Sequence, residues 1–474
     1  MGKEQYMERA EHALYKIYNR FPVVFDRGEG VYLYDTDGTE YLDFGAGIAV
    51  MALGYGCREF QEAVKDQVDR LCHTSNLFYN APSIGAAEKL LKVSGMDKVF
   101  FTNSGTEAVE GALKVAKRHA FNKGMGQDYE IIAMKHSFHG RSLGSLSVTG
   151  NDHYQEPFAP LIPGIRFAEF NNLDSVKALF SEKTCGVIME TIQGEGGIYP
   201  ATEEFLKGVR SLCDEYGALL ILDEIQCGMG RSGSMFAWQE YGVKPDVMTV
   251  AKALGNGLPI GAFLACGTAA KVMEPGDHGT TYGGNPLVCA AADKVLELFE
   301  EKNLVAHVRE IGQYLWEQLE ALAGRLDCVA AHRGKGLMQG LELSMPAVSA
   351  EAAILFDATH NTVLFEKNAD EKLYPASITK LMTALLVLEK ADLNDTVVFS
   401  KTAVTNLESG AVTLKLQEGD RVSVRDCLYG LLLKSANEVA NGLAEHVGGS
   451  IQGFADLMNQ RAAELGCTGT HFTN

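Results

Sequence analysis

Lys252 sits in the run Ala251-Lys252-Ala253-Leu254-Gly255-Asn256-Gly257, two residues past the apolar stretch Val247-Met248-Thr249-Val250. A lysine at a tight glycine-rich turn is open to desolvation, which lowers its pKa and makes the amine a nucleophile for a Schiff base. The plainer reading is a surface lysine. Asp223 closes the wholly apolar Leu219-Leu220-Ile221-Leu222. A buried carboxylate needs a cationic partner or it neutralises. A structural salt bridge would serve, and so would the ring nitrogen of a pyridinium. Ser104-Gly105-Thr106 follows the apolar Val99-Phe100-Phe101 and opens a helical period. Free amides and the helix dipole at such a turn suit a phosphate, and the same residues suit a plain Ser/Thr helix cap.

These residues need elements that bring them together. Between about 95 and 265 one pattern repeats: a short apolar run, then glycine and polar residues, then a helical period. Val99–Phe101, Ile131–Met134, Val187–Met189, Leu219–Leu222 and Val247–Val250 read as buried parallel strands. Their following residues carry Ser/Thr, His/Arg, Glu, Asp and Lys. In an open α/β sheet ligands bind beyond the carboxyl ends of the strands, so all five ends point to one site. After Thr106, Ala108, Val109, Ala112, Leu113 and Ala116 share one helix face, and Lys114, Lys117 and Arg118 the other. A second helical stretch is expected over roughly 288–324, and Gly336–Leu343 reads as a strand of a smaller domain.

Lysine, phosphate turn and ring-nitrogen partner are the parts of a pyridoxal phosphate site. Here the segment 1–344 resembles the class III (subgroup II) aminotransferases, and the acetylornithine aminotransferases among them. The resemblance rests on Leu42-Asp43-Phe44-Gly45-Ala46-Gly47-Ile48-Ala49-Val50, Asn103–Ala108, Phe138-His139-Gly140-Arg141, Gln193–Gly197, Leu222–Gln226 and Thr280–Pro286, in the family's order. It implies a fold-type I α/β architecture with a mixed, mostly parallel central sheet and pyridoxal 5′-phosphate as cofactor. It assigns Lys252 to the covalent link and the proton transfer, Asp223 to the ring nitrogen, Gln226 to the ring hydroxyl and Phe138 to the ring face. Ser104, Gly105 and Thr106 fall to the phosphate, and His139 and Glu190 join the cofactor-binding set. Thr281 would reach the phosphate of a neighbouring subunit, which makes a homodimer part of the mechanism. Arg141 would clamp a substrate carboxylate, its alternative being a surface charge pair. Glu195 would pair with a second carboxylate-binding arginine. That arginine comes, in the family, from the end of the small domain, where this sequence leaves the pattern. The implied domains are a large one over about 50–290 and an incomplete small α+β one from the N-terminal segment plus about 291–344.

The character changes over 345–350. Ser344–Ala350 has the small-residue spacing of a signal-peptide cleavage site with no apolar run before it. Ala352–Asp357 and Val363–Glu366 read as a hairpin around His360-Asn361, followed by an apolar helix from about Ser377 to Leu388. Ser377-Ile378-Thr379-Lys380 places a serine and a lysine on one helix face, where the lysine takes the serine's proton and Ser377 becomes an acyl-forming nucleophile. Alone such a motif is common and means little. With Ser435-Ala436-Asn437 and with Glu366–Asp370 and Tyr374–Ser377, residues 351–474 resemble part of the serine-type D-alanyl-D-alanine carboxypeptidases, a penicillin-binding, β-lactamase-like α+β fold. That family also carries a Lys-Thr-Gly strand, whose nearest text here is Lys401-Thr402-Ala403, and the match stops in mid-domain. Loss of an oxyanion strand predicts a rate lower by orders of magnitude.

Composition narrows the rest. Forty-two basic against 61 acidic residues give −19, a surface that repels phosphate backbones. Hydrophobic residues make up 46%, ordinary for a globular chain and too many for a disordered one. The ten cysteines show no Cys-x-x-Cys spacing, so neither a metal site nor a disulfide framework is signalled, and a cytoplasmic chain is expected. No apolar run reaches transmembrane length. Three readings follow: a transaminase acting on an ω-amino group such as that of N-acetylornithine, with 2-oxoglutarate as acceptor; a serine acyl-enzyme module; or an inactive chimaera of the two.

Overall fold

The computed structural model describes residues 2–344, 348–357, 362–408 and 410–473. Most of the 345–350 junction segment's first half and the His360-Asn361 turn lie outside the described residues. The chain divides into two compact units, 1–346 and 347–474.

The first unit is built on a seven-stranded sheet. Its strands are β1 (Lys98–Thr102), β2 (Glu130–Met134), β3 (Ile165–Ala168), β4 (Thr184–Glu190), β5 (Leu219–Asp223), β6 (Val247–Val250) and β7 (Gly261–Ala265). The spatial order is β1-β7-β6-β5-β4-β2-β3. β7 runs antiparallel to both β6 and β1, and the other six share one direction. The apolar runs are continuous because both faces are covered. Ile132, Met134, Leu220 and Leu222 enter the core on one face, whereas Ile131, Ala133, Leu219 and Ile221 enter the core on the other. The helix α1 (Gly105–Asn122) packs its Val109, Ala112, Leu113 and Ala116 into the second of these cores. The sequence reading found five strands; β3 and β7 are additional.

The 288–324 stretch is two helices, not one. α2 (Pro286–Glu301) and α3 (Leu304–Ala323) are separated at Asn303, whose φ of +48° breaks the helical path. The strand expected over Gly336–Leu343 is shorter. Gly336, at φ +56°, and Leu337 form the turn between β8 (Val329–Lys335) and β9 (Met338–Leu343), an antiparallel pair. The N-terminal strands Phe25–Glu29, Tyr32–Asp35 and Glu40–Leu42 form a sheet of their own.

The second unit opens with the antiparallel hairpin β10 (Ala353–Asp357) and β11 (Thr362–Lys367). Four helices of eleven or more residues follow, α4 (Thr379–Lys390), α5 (Val424–Lys434), α6 (Asn437–Gly448) and α7 (Ile451–Glu464), with a five-residue helix at Lys401–Thr405 between the first two. They close on a core of Leu386, Val387, Phe399, Leu431, Val439, Leu443 and Phe454. No helix among the described residues is long and apolar enough to cross a membrane.

Candidate active sites

Parallel register builds the first site. β4, β5 and β6 lie side by side with Glu190 opposite Asp223 and Asp223 opposite Thr249. Equal register puts the three side chains on the same face of the sheet at its carboxyl edge. Asp223 is only 3% exposed. Its Oδ1 accepts from Thr249 Oγ1 at 2.9 Å and from the Ile225 amide at 3.0 Å. Its Oδ2 lies 2.7 Å from His139 Nδ1. Burial by itself lowers the His139 pKa, but the hydrogen bond and charge of Asp223 outweigh it and hold the imidazole above its ordinary value. His139 Nε2 is buried with no hydrogen-bond partner.

Glu190 ties two loops to this edge. Its carboxylate accepts from the Phe138 and Gly194 amides, each at 3.2 Å. Burial pushes its carboxyl up to about 7. Those loops carry Phe138 and Arg141 on one side and Glu195 on the other. Gly140, between His139 and Arg141, has φ +133°, a backbone shape that side chains rarely take.

Lys252 follows β6 on the single turn Lys252–Leu254, with φ +47°. Burial lowers its pKa against the opposing pull of Asp223 and Glu195. The surface-lysine alternative therefore fails. Lys252 shares one cleft of about 480 Å³ with Ser104, Gly105, Thr106, Phe138, His139, Arg141, Glu190, Glu195, Asp223 and Gln226. The Arg141 guanidinium stacks 3.7 Å above the Tyr154 ring.

Three expected residues behave differently. The Ser104 hydroxyl is engaged as the cap of α1, accepting from the Glu107 amide at 3.3 Å. The helix-cap reading thus holds for that side chain, while the first amides of α1 keep no acceptor within the helix. Thr281 is exposed and does not line the cleft of its own chain. Glu195 also is exposed, and among the described residues no arginine pairs with it. Sequence reasoning missed Thr249 and the buried Glu224, whose carboxylate accepts from Thr191 Oγ1 and from the Ala237 and Trp238 amides. It also missed Arg231, which lines a cavity of about 240 Å³ beside Glu195 and Gln226. Only the glycine-rich run Gly228–Gly233 marks that arginine in the sequence.

The second unit assembles a different cluster. Ser377 lies in the turn Ala376–Ile378, just before α4 and not inside it. Lys380 Nζ donates to Asn437 Oδ1 at 2.8 Å and reaches Ser377 Oγ at 3.4 Å. Ser435 Oγ donates to Ser377 Oγ at 2.8 Å. Ala376, which precedes Ser377, and Ser435, which donates to it, both take positive φ, +48° and +57°. Such strain persists only where the surroundings impose it. Burial lowers the Lys380 pKa. Ser377 and Lys380 thus meet Ser435 and Asn437, the serines 58 positions apart in the chain, although Ser377 itself is exposed.

Known proteins supply the family. The model of the aminotransferase class-III family matches residues 15–397, and that of the D-alanyl-D-alanine carboxypeptidases matches 340–474. An acetylornithine aminotransferase of Clostridium acetobutylicum is 50% identical over 332 residues, 70% of this chain and 86% of that one. A succinylornithine transaminase of Salmonella newport is 46% identical over 336 residues, 71% of this chain and 82% of that one. The ornithine aminotransferase of Toxoplasma gondii superposes with a TM-score of 0.70 at 30% identity, over 73% of this chain and 83% of that one. With a family match over most of its length, and a half-buried lysine and a buried carboxylate at adjoining strand ends, the chain belongs to the class-III aminotransferases, enzymes of fold type I that depend on pyridoxal 5′-phosphate.

Proposed function

We propose that the first unit transfers the ω-amino group of N-acetylornithine to 2-oxoglutarate, as a cytoplasmic homodimer. The single observation that carries the reading is the shared cleft of Lys252 and Asp223. The donor set fits the cofactor. Asp223 is a buried carboxylate with an imidazole behind it, suited to a cationic ring nitrogen. Lys252 is a half-buried amine with a lowered pKa, suited to a carbonyl. The amides of Gly105 and Thr106 open α1 and suit a phosphate.

Pyridoxal phosphate, when bound, supplies an electrophilic carbonyl and a cationic ring that takes up the electron pair released at the substrate carbon. The protein's residues do the rest. Lys252 Nζ would carry the proton between the substrate carbon and the cofactor's carbonyl carbon, and desolvation, which lowers its pKa, favours the unprotonated amine that this needs. Asp223 would hold the ring nitrogen protonated, and His139 would keep that carboxylate oriented. Phe138 and Gln226 would fix the ring's tilt, Arg141 would hold a substrate carboxylate, and Thr281 would serve the neighbouring subunit's phosphate. The relatives divide between acetylornithine and succinylornithine enzymes, so the donor's acyl group is the finer choice.

The test is the absorption spectrum of the purified chain with added pyridoxal phosphate, before and after borohydride. A near-visible band that borohydride erases and that Lys252→Ala lacks is expected, with turnover of N-acetylornithine. A folded chain with no band overturns the proposal.

A second reading attaches to the second unit. The Ser377–Lys380–Asn437 geometry supports acylation at Ser377. Labelling by a fluorescent penicillin that disappears in Ser377→Ala is its test. Equal labelling of Ser377→Ala and of the unsubstituted chain overturns that reading.

A further inference from the structure

Behind the cleft a polar chain links the two loops that the first unit uses. It starts at Glu110, one turn after Thr106 on α1, so both side chains lie on the same helix face. Glu110 Oε1 accepts from Ser142 Oγ at 2.5 Å and from the Ser145 amide at 3.1 Å. Thr106 Oγ1 lies 2.7 Å from Ser142 Oγ and 2.6 Å from Ser145 Oγ, and it accepts from the Ser142 amide at 3.2 Å. The chain is tightly housed. A Cβ at Gly144 would stand 2.0 Å from Glu110 Oε2, and one at Gly140 would stand 2.5 Å from Thr106 Oγ1.

Proton accounting gives the chain a direction. A carboxylate only accepts. Ser142 therefore spends its hydroxyl proton on Glu110, and its lone pairs are left to accept. The Thr106 hydroxyl then donates inward, to Ser142 or Ser145. Ser142 directly follows Arg141, and Thr106 belongs to the Ser104–Thr106 turn. One carboxylate thus fastens the anion-binding turn to the loop that carries Phe138 and Arg141.

We propose that Glu110 is a positioning residue that sets the spacing between these two loops, and so couples phosphate affinity to substrate-carboxylate affinity. The proposal rests on the reading of Ser104–Thr106 as the cofactor's phosphate turn. Glu110 itself does not line the cleft, so its effect must pass through Ser142, Ser145 and Thr106.

The experiment titrates wild type, Glu110→Ala and Glu110→Gln with pyridoxal phosphate and with pyridoxal, which lacks the phosphate. In Glu110→Ala the preference for the phosphorylated form is expected to fall about tenfold, as loss of a charge-assisted acceptor would produce. Glu110→Gln keeps an acceptor oxygen and is expected to restore most of that preference. Equal weakening of both ligands, or no weakening of either, overturns the proposal. The second measurement needs no cofactor. Trypsin cleavage after Arg141 in the unliganded chain is followed by mass spectrometry, and Glu110→Ala is expected to cleave several-fold faster than Glu110→Gln. Equal rates overturn it. A wild type that binds neither ligand would defeat the phosphate-turn reading, and the cleavage rates would still decide whether Glu110 fastens the loop.

Discussion

The two clusters of reactive side chains in this chain are both well formed in distance and differ in burial. In the first unit Asp223, His139 and Glu190 are all at most 6% exposed, and each is held by partners fixed to sheet strands or tight loops. In the second unit Ser377 and Ser435 touch at 2.8 Å, but their hydrogen bond is open to solvent. Burial changes what the same kinds of group can do. It raises one carboxyl to about 7 and lowers an amine in the first cluster, where only the hydrogen bond and charge of Asp223 overcome it to raise an imidazole. In the second it acts on Lys380 alone. The hairpin β10–β11 of the second unit makes the same point, with Ile354 60% and Leu364 62% exposed. Distances between side chains assemble a site, and exclusion of water sets its chemistry.

The comparison can be broken at three strengths. Asp223→Ala leaves His139 buried with both ring nitrogens unpartnered, and about 3–5 kcal/mol of stability is expected to be lost. Denaturant unfolding followed by tryptophan fluorescence reads this, since both tryptophans belong to the first unit; a loss under 1 kcal/mol would show that the buried cluster is not cooperative. A pH series is an intermediate test. Glu190 and Glu224 have carboxyls pushed up to about 7 by burial, from an ordinary 4.5. The folded state therefore binds protons more tightly than the unfolded one, so stability is fully present below about 4.5 and is lost as pH rises towards about 7. The thermal midpoint of the unliganded chain is expected to fall across that window, and Glu224→Gln is expected to flatten the fall. The smallest effect belongs to the second cluster. Ser435→Ala removes a half-buried hydroxyl whose hydrogen bond is open to solvent, and about 0.5 kcal/mol or less is expected from unfolding of the second unit. A cost as large as that of Asp223→Ala would erase the distinction.

Much of the first site was legible along the chain. Lys252, Asp223 and Glu190 are strand-end residues, and strand ends are visible because a doubly covered strand must be apolar throughout. Thr249 was hidden inside such a run: only register shows that it stands beside Asp223. The Glu110 chain was hidden for another reason. Its members lie on a helix and on a loop 32 residues further on, and no local pattern marks a carboxylate that reaches across. The break at Asn303 between α2 and α3 was missed because apolar periodicity continues through it, and a single left-handed residue leaves little trace in composition. In sequence Ser104 suits a phosphate ligand and a cap equally, and folding gives its hydroxyl to the cap.

The sequence by itself determined the alternation of buried strands and amphipathic helices, the order of the motifs and the change of character near residue 345, because each follows from local hydrophobic period and turn chemistry. Only the tertiary structure decided which polar groups lose water and which face each other across the sheet. Protonation depends on that solvation, and solvation is a property of the packed neighbours, not of the residue's own place in the chain.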